Sequence, residues 1–166
     1  MTTEPMVLRV LLGQLVPPPG DVGAGVAMIE RVLGEHDHAD IAVFPELMLG
    51  GYRPSDAASL ALAPDGPEIG VLRALAARHR TALVAGFAER TDGRPANSVA
   101  IIDRDGTLRG VYRKVQLFGT DEARGFLAGD EFVVAELCGV RCGVMICFDI
   151  EFPEPARMLA RAGCEL

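Results

Sequence analysis

Three short apolar runs, at residues 7–12, 41–44 and 81–87, are separated by two stretches whose apolar residues recur at helical spacing. A chain that alternates strand and helix in this way folds in layers, with helices covering a sheet. The first helix is predicted from an Asp21 N-cap to about residue 35, with Val22, Val26, Ile29 and Leu33 as its buried stripe. Pro67 opens the second helix, whose stripe is Ile69, Leu72, Leu75 and Ala76. The run at 41–44 is too short for a helix and is closed by Pro45. A loop rich in Gly, Pro, Ser and Asp is expected from Gly50 to about Pro64.

Beyond the third run, residues 97–102 and 107–112 flank Asp103-Arg104-Asp105-Gly106 and read as a hairpin. A second hairpin pairs residues 132–134 with 140–146 around Cys138-Gly139, and a last helix, carrying Met158 and Leu159, begins near Pro153. No internal repeat or linker divides the 166 residues, so one α/β domain over 1–166 is expected. Residues 162–166 read as a helix end passing into another strand, which suggests a scaffold incomplete at its C-terminus.

Several partner classes are disfavoured. Sixteen Lys+Arg against 23 Asp+Glu give a formal charge of −7, which argues against nucleic acid. The absence of Trp, with two Tyr and seven Phe, leaves few platforms for stacking bases. The apolar stretch 7–16 contains Arg9 and Gln14 and is too short to span a bilayer, and no basic region precedes it, so neither a membrane anchor nor a secretory signal is expected. Cys138, Cys142, Cys147 and Cys164 form no CxxC pair, and reduced thiols in a cytoplasmic protein are the expectation. His36-Asp37-His38 lacks a third ligand at recognisable spacing and reads as a solvated helix exit, so no metal is expected.

Three residues stand where an α/β site collects its chemistry. Cys147 follows the apolar Val144-Met145-Ile146 and precedes the helix at Pro153, where a thiol can serve as nucleophile and backbone N–H groups can hold negative charge. Glu46 follows the run at 41–44, and Lys114 follows the strand ending at Tyr112. Each alone fits a solvated strand end, and Cys147 alone fits a small buried hydrophobe. Together they offer nucleophile, base and cation.

The motifs around them resemble the nitrilase, or carbon–nitrogen hydrolase, superfamily over the whole chain. They are Phe44-Pro45-Glu46-Leu47 with Gly51-Tyr52, then Tyr112-Arg113-Lys114-Val115-Gln116-Leu117-Phe118, then Gly143-Val144-Met145-Ile146-Cys147-Phe148-Asp149-Ile150-Glu151-Phe152-Pro153-Glu154. Glu122, before Phe126, Gly129 and Asp130, is similar to the family's second glutamate. Asn97-Ser98 and Arg157 also resemble family positions, where structural roles are expected.

The resemblance implies an αββα sandwich and a Glu46-Lys114-Cys147 triad that hydrolyses a small non-peptide amide or carbamoyl compound through a thioester, with no metal or organic cofactor. Glu122, Tyr52 and the Phe148 backbone N–H are the implied substrate and oxyanion contacts. Homo-oligomers are the implied assembly. The family's domain continues past the cysteine helix, so a 166-residue chain is expected to be poorly active alone. A non-catalytic fragment or interaction module that keeps the motifs is the alternative. A nucleotide-binding domain is disfavoured, because no phosphate-binding glycine loop follows the first strand.

Overall fold

The computed structural model describes residues 7–166. Strands β1 (Val10–Leu12), β2 (Ile41–Val43), β3 (Ala82–Glu89), β4 (Ala96–Ile102) and β5 (Leu108–Arg113) form one sheet in that order. The first three are parallel neighbours, and β3, β4 and β5 continue antiparallel. Helices α1 (Val22–Glu35) and α3 (Pro67–His79) supply the crossovers that parallel pairing requires. Asp21 caps α1 by accepting from the Ala24 N–H at 2.8 Å, and Pro67 opens α3, as the sequence predicts.

One face of the sheet packs on the helices. Ile29 and Leu33 of α1 and Ile69, Leu72 and Leu75 of α3 join Leu83, Ala85, Phe87, Ala100 and Ile102 in one core cluster. Each fully buried Leu or Ile contributes roughly 1.5–3 kcal/mol. The other face meets a hairpin of β6 (Val134–Leu137) and β7 (Val140–Gly143) through Ile41, Val84, Val99, Ile101, Ala135, Leu137 and Cys142. Helix α5 (Pro153–Arg161) lies beyond, because a side chain on Gly143 would point at Leu159, away from the face that Cys142 covers. The layers run helix, sheet, sheet, helix. None of the described helices is long and apolar enough to cross a membrane.

Several boundaries differ from the sequence reading. β1 pairs over three residues only, because β2 offers three partners before Pro45. The 50–64 loop contains a 3-10 turn (Pro54–Asp56) and the short helix α2 (Ala57–Leu60). Helix α4 (Gly119–Gly125) follows residues 115–118. The second hairpin turns at Cys138 (φ 53°) and Gly139 (φ 79°), the two positive angles of a tight two-residue turn. Its ladder ends at Val134 opposite Gly143, so residues 144–146 are not a strand and Cys147 opens a 3-10 turn (Cys147–Glu151) instead. At the chain end, the Glu165 and Leu166 N–H groups donate to the Arg141 carbonyl and Gly143 N–H donates to the Leu166 carbonyl, a strand-like pairing beside β7.

Candidate active site

Glu46 is placed by the segment leaving β2. Phe44 N–H donates to Val84 O at 2.8 Å and Leu49 N–H to Gly86 O at 3.0 Å, so the chain crosses directly over β3. A Cβ on Gly86 would lie 2.6 Å from Pro45 O and 2.9 Å from the Glu46 carbonyl carbon. Glycine is therefore the residue that permits this crossing. The chain then turns through Leu47 at φ 50°, a left-handed conformation that a branched side chain adopts only under constraint.

Lys114 follows β5 directly and is fully buried. Its backbone is pinned on both sides: Lys114 N–H donates to Asn97 O at 2.8 Å, and Gly129 N–H donates to Lys114 O at 2.9 Å. Its Nζ donates to Glu46 Oε1 at 2.6 Å and to Glu122 Oε1 at 3.0 Å. Burial works against the ammonium, yet hydrogen bonds and charge from the two carboxylates outweigh it and raise the Lys114 pKa. The cation is permanent at neutral pH.

Glu122, on α4, is also fully buried. Its Oε2 accepts the Phe118 N–H at 2.7 Å, and its Oε1 accepts the Tyr52 hydroxyl at 2.8 Å as well as the lysine. Burial first, then the Glu122 hydrogen bond and charge, pushes the Tyr52 phenol well above its ordinary value, so it remains a donor. Asn97 Nδ2 donates to Glu46 Oε1 at 2.7 Å. Lysine and asparagine thus both take Oε1, and no hydrogen bond among the described residues occupies Oε2.

Cys147 opens its 3-10 turn at φ 45° and is exposed. The turn is held by Asp149, whose fully buried carboxylate accepts Ile146 N–H at 2.9 Å, Gln116 N–H at 2.8 Å and the Tyr112 hydroxyl at 2.7 Å. One side chain therefore ties the cysteine turn to the segment after Lys114. Partial burial raises the thiol pKa, the Glu46 charge adds to this, and Lys114 opposes it. Phe148 follows in the first turn, where backbone N–H groups have no acceptor within the turn. Its ring packs edge-on against Phe118 and Phe152, with centroids 5.1 and 5.3 Å away.

The structure thus joins Glu46, Lys114, Glu122 and Tyr52 in one hydrogen-bonded cluster, with Cys147 in its electrostatic reach. Asn97 joins the cluster through Glu46 and Phe148 lies beside Cys147, while His38, Arg157 and the other cysteines lie elsewhere. His38 pairs with Asp37 at 3.1 Å on an exposed surface, and Arg157 is exposed on α5. Cys138, Cys142 and Cys164 are free thiols outside the cluster. Gly86 and Asp149 also build the site, and the sequence motifs do not mark either as functional. A lone glycine inside an apolar strand, and an acid two residues after the cysteine, were the available signals.

Residues 13–166 match the family described as carbon-nitrogen hydrolase. The chain is 43% identical over 163 residues to the "hydrolase in pqqF 5'region" of Pseudomonas protegens, covering 96% of this chain and 57% of that protein. It is 32% identical over 161 residues to an (R)-stereoselective amidase of Pseudomonas sp., covering 96% of this chain and 58% of the relative. The fold matches an amidase from Nesterenkonia sp. AN1 at a TM-score of 0.85 and 25% identity, over 95% of this chain and 64% of that one. That structure is of a mutant of the amidase and shows the result of Michael addition of acrylamide at the active-site cysteine of that protein. The chain therefore spans somewhat over half the length of these relatives.

Proposed function

The chain belongs to the carbon–nitrogen hydrolase family, and on that premise we propose that it is an amidase-type hydrolase using Glu46, Lys114 and Cys147. The observation that carries this reading is the buried Lys114 ammonium held between Glu46 at 2.6 Å and Glu122 at 3.0 Å. A cation with two carboxylates beside a thiol suits a reaction that first moves a proton and then builds an oxyanion.

Cys147 attacks the carbonyl carbon of a small amide or carbamoyl compound while Glu46 takes the thiol proton. Lys114 and the Phe148 N–H stabilise the oxyanion, and one such donor is worth about 10²–10³ in kcat. The carbon–nitrogen bond breaks, Glu46 passes its proton to the departing ammonia or amine, and a thioester remains. Glu46 then draws a proton from water, the oxygen bonds to the thioester carbonyl carbon, the carbon–sulfur bond breaks to release the acid, and the proton on Glu46 returns to the thiolate. Glu122 and Tyr52 orient the lysine and the substrate. No metal or organic cofactor enters these steps. Four free thiols suit a reducing, cytoplasmic setting, and homo-oligomer formation is part of the same proposal.

The test is ammonia release over a panel of small amides and carbamoyl compounds, with intact-mass detection of an acyl adduct. Turnover lost in Cys147→Ala, with the adduct on Cys147 in the parent, is the expected result. Turnover that survives Cys147→Ala, or an adduct on Cys138, overturns it. A folded parent chain that releases no ammonia from any compound favours the non-catalytic module.

A further inference from the structure

We propose, on the amidase reading above, that Asn97 is the positioning residue for the base, fixing the Glu46 carboxylate by one oxygen so that the other stays presented to the thiol. Asn97 lies in β4, fully buried, opposite Ala88 of β3 and two residues along that strand from the crossing over Gly86. Its groups reach two different site residues. The backbone carbonyl accepts Lys114 N–H at 2.8 Å, and the side-chain Nδ2 donates to Glu46 Oε1 at 2.7 Å.

The third group explains why the side chain is an amide. Asn97 Oδ1 is buried and has no hydrogen-bond partner among the described residues. An unpaired buried acceptor is destabilising, and an apolar side chain of similar shape would avoid it. Packing therefore does not account for asparagine here, whereas the Nδ2 donor does. The next residue, Ser98, points to the opposite face and donates to Glu89 Oε2 at 2.7 Å, so the backbone direction at Asn97 is held as well.

The contacts around Glu46 show what the donor achieves. Lys114 Nζ also binds Glu46 Oε1, but it is shared with Glu122 Oε1, which Tyr52 holds from another side. Two carboxylates thus share one ammonium, whereas the Asn97 amide makes its side-chain contact to Glu46 alone and so fixes which carboxylate oxygen faces the lysine.

The test is the 13C resonance of the Glu46 carboxyl at one pH in chain labelled at the glutamate carboxyls, assigned with Glu46→Gln. Asn97→Leu removes the donor, and Asn97→Gln keeps an amide donor on a longer side chain. In Asn97→Leu the resonance should shift and broaden as the carboxylate loses its fixed oxygen, and kcat should fall roughly tenfold with KM little changed, while Asn97→Gln recovers part of both. Circular dichroism establishes which variants are folded. A resonance and a kcat unmoved in folded Asn97→Leu overturn the proposal, and collapse of both variants assigns Asn97 to packing and overturns it too. A parent that releases no ammonia counts against the amidase reading, while the resonance still decides the task of Asn97.

Discussion

Lys114 Nζ donates to Glu46 Oε1 at 2.6 Å although 68 residues separate the two in sequence. The same ammonium is the one cation within hydrogen-bond reach of the Glu122 carboxylate among the described residues, and both of those side chains are fully buried. Removing the lysine therefore does more than remove an oxyanion partner. It strands a carboxylate in the interior.

Lys114→Met should lower stability by about 3–5 kcal/mol, the typical loss when one partner of a buried pair is removed. Glu46→Gln keeps the lysine paired with Glu122 and should lower it far less. Both should reduce kcat/KM by more than tenfold, or more than ~1.4 kcal/mol of transition-state stabilisation. Urea unfolding and steady-state kinetics on the two variants check this. Equal stability of the two would mean that Lys114 is not what compensates Glu122.

The close approach at Gly86 gives a second expectation. A methyl group there would meet the backbone of Pro45, Glu46 and Leu47 rather than a flexible side chain, so the base itself must shift. Gly86→Ala should destabilise by about 1–3 kcal/mol and lose most activity. Gly34→Ala, in an exposed part of α1 where no atom lies within 4 Å of the new Cβ, should be neutral or stabilising by up to about 1 kcal/mol. Thermal unfolding of both variants, with kinetics on Gly86→Ala, tests the contrast.

The local signals in the sequence were enough for the elements they govern. Asp21 and Pro67 mark helix starts through cap and φ restriction, and Cys138-Gly139 marks a turn through its backbone angles. Glu46, Lys114 and Cys147 are legible because apolar runs lead up to each of them. Helix α4 was not, because its seven residues are fixed from outside: Phe118 N–H binds Glu122 and Gly125 packs against the Pro54 backbone. Residues 144–146 are apolar, yet the ladder stops at Gly143, and periodicity does not report the missing partner. The site contacts of Asn97 and Asp149 span 51 and 37 residues, so only the folded chain reveals them.

Asp149 carries a third expectation. Three donors converge on its carboxylate, and an amide in its place would turn an NH₂ group toward at least one of them. Asp149→Asn should destabilise by about 1–3 kcal/mol, the penalty of an unmade buried hydrogen bond. The turn that holds Cys147 at φ 45° is then released, so acylation should slow more than substrate binding weakens. Single-turnover mass spectrometry measures the two apart, and an unchanged acylation rate in a destabilised variant would confine Asp149 to packing.

The thiol itself gives an expectation with opposite signs in two variants. Partial burial raises the Cys147 pKa first, the Glu46 charge and hydrogen bond raise it further, and Lys114 lowers it. The resting thiol is therefore protonated at neutral pH, and its reaction with a small neutral alkylating agent should climb with pH beyond the ordinary value of 9.0. Glu46→Gln removes two raising influences and should move the midpoint down. Lys114→Met removes the lowering one and should move it up, in whatever fraction stays folded. Alkylation rates at Cys147, followed by peptide mass mapping so that Cys138, Cys142 and Cys164 are counted separately, give each midpoint. A parent midpoint below about 7 would mean that Cys147 rests as a thiolate stabilised by Lys114 and needs no base, and shifts of the same sign in the two variants would mean that Glu46 and Lys114 do not act on the thiol in opposite directions.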